Sequence, residues 1–304
     1  MFTIKKYKKN NPFEDYIHIY SKDMSCKIYP NIGATIQSLI VKDTDILYGK
    51  DDLPKPLDFF TVNPSILMFP FPGRIKNGNY FYKNNQFQLE QNEQNRDNAI
   101  HGLVAHKPFT LINSESNNNQ ANLSFLYSVK NADEGFPYDF DFTVHYKIKN
   151  DQIDLNFEIL NTGSKKFPFA LGWHPYFKST DLSNDKISFK TSKEVLCDEN
   201  MIPVGKKSIE EFNNFKIGNT HFDTCYILND NNINLKTQQY SAKLSIQSKN
   251  QQYLQLFTPN SRNCIAIEPM NCIPDAFNNG EGLSQLSPGC IFLYKINLTI
   301  EIND

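Results

Sequence analysis

The chain has 304 residues, 39% apolar and 21% charged, which is ordinary for a globular protein and long enough for one large core or two modest ones. Its formal net charge is -2 and its arginines are Arg74, Arg96 and Arg262, so the charge gives no reason to expect nucleic acid, an acidic membrane or a phosphate-clamping surface. No apolar run reaches the roughly 18 residues of a membrane span and no secretory signal is visible. The six scattered cysteines, with no C-x-x-C pair, therefore read as reduced, mostly buried thiols of a cytoplasmic protein rather than as a zinc or disulfide framework.

The first elements are strands with interruptions. His18 alternates with Ile17 and Ile19 and falls on a polar face. The stretch NPSILMFPFPGRIKNGNYFY, residues 63 to 82, sets a lone Arg74 after a Pro-Gly turn, and NAIHGLVAH, 98 to 106, sets His101 before Gly102. The asparagine-rich NSESNNNQ, 113 to 120, reads as a polar loop.

Strict alternation follows. Ala121, Leu123, Phe125, Tyr127 and Val129 share one face, as do Phe142, Val144, Tyr146 and Ile148, and then Ile153, Leu155, Phe157 and Ile159. His145, between Thr143 and Lys147, belongs to the polar side. After an NTG turn at 161 to 163 comes FALGWHPYF, 169 to 177, with His174 between Trp173 and Pro175. Ser208 with Glu211 has capping-box spacing and predicts a helix start, and NDNNIN, 229 to 234, reads as a loop tip.

The third unusual segment, CIAIEPMNCIPDAFNNGEGLSQLSPG, 264 to 289, carries Glu268 in an apolar strand that runs into Pro269. The last strand repeats the alternation through Phe292, Tyr294, Ile296, Leu298, Ile300 and Ile302. With 24 phenylalanines and 15 tyrosines and no Gly-rich dinucleotide loop, the pattern predicts an all-β fold: one large, mostly antiparallel domain over 1–304, sheets packed face to face, with few short helices. A charged or titratable group set among apolar neighbours costs free energy unless paired or used, which makes Arg74, His101, His174 and Glu268 the candidate functional residues.

Together these segments resemble the aldose 1-epimerase (galactose mutarotase) family. GRIKNG carries the arginine, NAIHG resembles an Asn-x-Leu-His-Gly motif with Asn98 in the first place, GWHPYF holds a His-Pro-Tyr-Phe motif, and IEP resembles the family's glutamate strand. Asp223 in HFDTCY stands where the sugar-binding aspartate is expected. The resemblance implies a supersandwich fold and a cofactor-independent, metal-free isomerase acting on a free monosaccharide, with no nucleic acid or membrane partner, as a monomer or homodimer. It assigns Glu268 as base and His174 as acid. Arg74, His101 and Asp223 would bind sugar, and Trp173 or Tyr176 would pack on an apolar sugar face. The sequence departs from the best-studied branch in IHGLV, which lacks a second glycine, and in Trp173, where many members carry a polar residue; galactose or glucose as substrate does not follow.

The chemistry fits this set. Exchanging α and β anomers needs one group to take the C1 hydroxyl proton and another to protonate the ring oxygen, with roles reversed on closure. A glutamate and a histidine exchanging protons near neutral pH suffice, and burial of the histidine calls for a nearby carboxylate to keep it protonated. Three other readings stand beside this one. A hexose-6-phosphate 1-epimerase needs cations such as Arg96 and Arg262. A glycoside hydrolase would use Asp223 with Glu268. A non-catalytic carbohydrate-binding protein needs no acid–base pair.

Overall fold

The computed structural model describes residues 1–53, 64–93, 95–130 and 134–303. The alternation seen in the sequence becomes a set of antiparallel strands. In Phe140–Ile148 and Gln152–Asn161 the apolar members Phe142, Val144, Tyr146, Ile153, Leu155 and Phe157 are all buried. Register places Val144 opposite Phe157 and Tyr146 opposite Leu155, so like faces like across the ladder.

These strands belong to a long sheet. It runs from Thr110–Ser116 through Ala121–Val129, Phe140–Ile148, Gln152–Asn161, Ile291–Ile302, Tyr240–Gln247 and Asp223–Lys236, and continues to Tyr253–Phe257, Cys264–Met270, Gly172–His174 and Ile66–Met68. A branch leaves Asp223–Lys236 through Lys186–Cys197, which carries the short strands Pro203–Ser208 and Phe212–Lys216. A separate five-stranded sheet is built from the first 45 residues. Its buried Ile17, Ile19, Ile28 and Ile36 join Phe125, Val144 and Tyr146 of the long sheet in one core. The Tyr146 hydroxyl donates to the Ala34 carbonyl at 2.7 Å, a buried polar tie between the layers. The result is a large antiparallel β-sandwich; among the described residues its α-helical content is the single turn Ala276–Asn279.

The segment 64 to 82 enters this core. Phe69 lies 4.9 Å from Phe140, 5.3 Å from Phe142 and 6.0 Å from Phe169, ring centre to ring centre. Burying each such ring stabilises by roughly 1.5–3 kcal/mol, which anchors the neighbouring Arg74 strand firmly.

Three local expectations are corrected. Ser208 does not cap a helix: it ends the strand Pro203–Ser208 opposite Lys193, and the Ile209 amide donates across to Ser192 at 3.0 Å. Cross-strand pairing here outweighs the capping-box pattern. Nor is NDNNIN a loop tip. It lies inside the 14-residue strand Asp223–Lys236, where the strand changes partner from Tyr253–Phe257 to Tyr240–Gln247. The polar side chains stabilise that irregularity: Asp230 accepts from the Asn232 amide at 2.7 Å, and Asn231 donates to the Ser248 carbonyl at 2.8 Å. NSESNNNQ is divided: Thr110–Ser116 takes its first four residues into a strand, and Asn117 accepts from the Asn119 and Gln120 amides in the turn. All six cysteines are free thiols; Cys26, Cys225, Cys264 and Cys272 are buried.

Candidate active site

Three adjacent strands bring the candidate residues to one face. Glu268 of Cys264–Met270 stands directly opposite Gln255 of Tyr253–Phe257, whose other neighbour is Cys225, two residues from Asp223. Two residues apart is the same face of a strand, so Asp223, Gln255 and Glu268 share it. Gly172–His174 pairs with both Cys264–Met270 and Ile66–Met68. After Pro175, Tyr176–Lys178 resumes pairing with Cys264–Met270.

This face floors a cleft of about 1470 Å³ lined by Arg74, His101, His174, Tyr176, Asp223 and Glu268, among others. At its base His174 Nε2 meets Glu268 Oε1 at 3.2 Å, with side-chain exposures of only 7% and 3%. The His174 ring is stacked on Tyr176 at 4.8 Å and touched edge-on by His101 at 5.1 Å. Its orientation is therefore fixed from two sides.

His101 arrives from the loop after Ala99–Ile100. Its φ is +63°, its amide donates to the Gly73 carbonyl at 2.8 Å, and the Leu103 amide donates to Phe69 at 2.7 Å. Gly102 between them also has positive φ, and a Cβ there would collide with the Phe69 backbone, so glycine is required. Arg74 is pinned by Glu93: Arg74 Nη2 donates to Oε1 at 2.8 Å and Nε to both oxygens at 3.0 Å. The Arg74 carbonyl accepts from the Asp275 amide at 2.7 Å, which ties this strand to the loop beyond Glu268.

The electrostatics follow from burial. Desolvation drives the His174 pKa down to about 3, with the Arg74 charge adding to it and its own backbone opposing. Desolvation, His174 and Arg74 push His101 well below the usual imidazole value. Glu268 goes the other way, raised well above the carboxylate range by burial and then by Asp223, against Arg74. Among the protein groups alone, both directions favour an imidazole beside a carboxylic acid. This reverses the proton distribution expected from the sequence, because the carboxylate nearest His174 is Glu268 itself and is equally buried.

Each sequence candidate thus has a place. Arg74, His101, His174, Asp223 and Glu268 all line the cleft. Trp173 does not: it is 1% exposed and packs in the main core, because alternation turns it to the face opposite His174. Tyr176 lines the cleft instead. Asn98 is buried and acts as a support, donating to Glu93 at 2.9 Å and to the Asn200 carbonyl at 3.0 Å. Arg262 is spent on the backbone carbonyls of Thr220 and Gly218, whereas Arg96 lines the cleft and donates to Glu93 at 3.1 Å. His145 pairs with Ser124 at 2.8 Å on the far sheet surface. Among the described residues no three His, Cys, Asp or Glu side chains come together to hold a metal ion, and no helix is long and apolar enough to cross a membrane.

Glu93 and Gln255 were not singled out in the sequence. Gln255 donates to Asp223 Oδ1 at 2.9 Å. Its signal was a polar residue sharing a face with Tyr253 and Phe257. For Glu93 the signal was indirect: an arginine among apolar residues needs a carboxylate, and QNEQNRDN offers one.

The site is thus a buried imidazole–carboxylate pair on the open face of a large antiparallel sandwich. The chain belongs to the aldose 1-epimerase family, whose sequence model matches residues 16–299. It is 29% identical to the uncharacterized Escherichia coli protein YihR over 248 residues, 77% of this chain and 78% of that protein. The fold matches a galactose mutarotase-like protein from Clostridium acetobutylicum with a TM-score of 0.88 at 18% identity, over 99% of both chains. It also matches galactose 1-epimerase from Lactobacillus acidophilus, with a TM-score of 0.82 at 17% identity over 100% of this chain and 99% of that one.

Proposed function

We propose that the chain interconverts the α and β anomers of a free aldose by acid–base opening and closing of the ring, without a cofactor. The observation that carries this reading is the 3.2 Å contact between His174 and Glu268 in the floor of the cleft. The C1 hydroxyl oxygen and the ring oxygen share one carbon, so the groups that serve them must be neighbours. Glu268 takes the hydroxyl proton while His174 gives one to the ring oxygen. The O–H electrons form the C1 carbonyl as the bond from C1 to the ring oxygen breaks. After rotation about C1–C2 the ring oxygen attacks the other face, returning its proton to His174 as Glu268 reprotonates the carbonyl oxygen.

The ring-closed sugar requires the proton on His174, whereas burial favours it on Glu268. A C1 hydroxyl donating to Glu268 stabilises its ionised form and offsets that preference. Both distributions have zero net charge, so the proton moves without charging a buried site. In this reading His101 hydrogen-bonds the ring oxygen, while Arg74 and Asp223 hold hydroxyls. A mere binding protein has no use for the His174–Glu268 pair. The test is proton NMR of freshly dissolved α-aldoses: catalytic protein must speed the appearance of the β signals over the spontaneous rate. No acceleration with any aldose of a broad panel would remove the proposal.

A further inference from the structure

We propose that Glu93 is a specificity-determining residue that sets this cleft for uncharged sugars and against anionic ones, an inference that rests on the epimerase reading above. Arg74 and Arg96 both line the cleft. Two neighbouring guanidiniums on a cleft wall are ordinarily a site for phosphate or carboxylate, which they grip through paired N–H groups. Here the side-on edge of Arg74 and one N–H of Arg96 are already taken. Glu93 accepts from Arg74 Nε and Nη2 at 2.8–3.0 Å and from Arg96 Nη1 at 3.1 Å. It occupies the side-on Nε–Nη2 edge of Arg74, one of the two forked edges of the guanidinium, and sets a negative charge beside the other.

Glu93 is itself held in place. Asn98, fully buried, donates to its second oxygen at 2.9 Å, and Asn98 is fixed in turn by the Asn77 amide at 3.3 Å and the Asn200 carbonyl at 3.0 Å. Hydrogen bonds from Arg74, Asn98 and Arg96 outweigh the cost of its burial, so Glu93 stays ionised. Burial raises the pKa of Asp223, on the same cleft, above the ordinary carboxylate value, against the fields of Arg74 and Arg96. The formal charges of Arg74, Arg96, Glu93 and Asp223 cancel. Around them His101 and His174 are driven towards neutrality, Glu268 carries no positive charge in either form, and exposed Lys107 is the other lysine or arginine lining the described cleft. An anionic substituent entering this end would have to displace Glu93 or sit beside two carboxylates. A neutral hydroxyl meets donors and acceptors without either cost.

The experiment measures binding of glucose, glucose 6-phosphate and glucuronate by calorimetry, alongside anomer exchange, for the natural chain, Glu93→Gln, Glu93→Asp and Asp223→Asn. The natural chain is expected to favour glucose over both anions. Glu93→Gln should shift the anion-to-glucose affinity ratio upward by about ten-fold or more, the size of one charge-assisted hydrogen bond gained. That gain should shrink with added salt. Glu93→Asp, which keeps the charge, should keep the discrimination. Asp223→Asn, read on anion affinity alone because Asp223 also holds hydroxyls, should raise that affinity as Glu93→Gln does, and it decides the matter if Glu93→Gln does not fold. A natural chain that prefers the anions, or folded Glu93→Gln with an unchanged ratio and Asp223→Asn with unchanged anion affinity, overturns the assignment. Glucose selectivity without anomer exchange on any aldose of the panel would instead overturn the epimerase reading and leave the selectivity result standing; no binding of any of the three probes would remove the selectivity assignment alone.

Discussion

Glu268 and Asp185 are both 2% exposed, and burial raises the pKa of both, yet their surroundings differ in kind. Asp185 closes the loop ahead of Lys186–Cys197, where its carbonyl accepts from the Ile217 amide at 2.9 Å. Its Oδ2 has no hydrogen-bond partner among the described residues. Glu268 has a second titratable group at 3.2 Å and an open cleft above it. A raised carboxylate is therefore not in itself a functional mark. What separates the two is a partner that can take the proton and a route by which a substrate can reach it.

That contrast is open to attack at several points. The largest effect is expected from Glu268→Gln, which keeps shape and hydrogen bonding but cannot carry the proton. Anomer exchange should fall by about 10²–10⁴-fold with fold and sugar binding retained. Half of the natural rate surviving would take Glu268 out of the reaction. His174→Asn should follow, with kcat lowered by about 10²-fold and affinity little changed, while His101→Asn should lower both, kcat more mildly. Measured kinetics in the reverse order would exchange the two histidines.

The pH profile sharpens the same comparison. With His174 driven down to about 3 and Glu268 raised well above the carboxylate range, the pair holds a single proton at pH values between the two. The ratio kcat/KM should show no acid limb near the ordinary imidazole value, its acid limb being displaced down towards about 3, identically from α or β sugar. An acid limb near 6.5, the unperturbed histidine value, would contradict the burial argument.

Asp185→Asn is the matched control. Its folded pKa of about 6 lies above the ordinary 3.8, so the stability that protonated Asp185 contributes is complete below 3.8 and is lost as pH rises through about 6. The asparagine escapes that loss. It should raise stability by about 1–2 kcal/mol at pH 7, fading to nothing in acid, with catalysis unchanged; thermal melts at the two pH values read this directly. The smallest effect is expected from Trp173→Phe. KM should change by less than about two-fold while Tm drops, because the indole fills core rather than cleft. A large rise in KM at unchanged Tm would place Trp173 on the sugar after all.

Much of the fold was legible, since a period of two over nine or ten residues leaves few alternatives to a half-buried strand. The long strands around Tyr146 and Phe157 follow the alternation closely. Legibility failed where polar side chains do structural work inside a sheet. Asp230, Asn231 and Asn232 look like a turn but hold a strand as it changes partners, and Ser208 looks like a cap but ends a ladder. At the site, His101, His174 and Glu268 were visible because a titratable group among apolar neighbours needs a reason. Trp173 was misplaced although the rule that explains the strands also turns it away from His174. Glu93 stayed hidden because it lies in a polar run, and only the folded chain brings it to Arg74.

The branch that carries Pro203–Ser208 has a consequence for life in a crowded solution. Among the described residues this strand pairs on one side only, with Lys186–Cys197, and leaves its other side open as a template for a foreign strand. Its composition blunts that template. Pro203 lacks the amide that a new neighbour would bind, Gly205 weakens β-structure, and Lys206 and Lys207 line the rim with charged side chains paired to Glu281 and Glu194. Exposed Val204 is the one large apolar residue on it. Sequence that contributes nothing to sugar chemistry thus guards the sheet against self-adhesion, the standing hazard of a protein built almost wholly from strands.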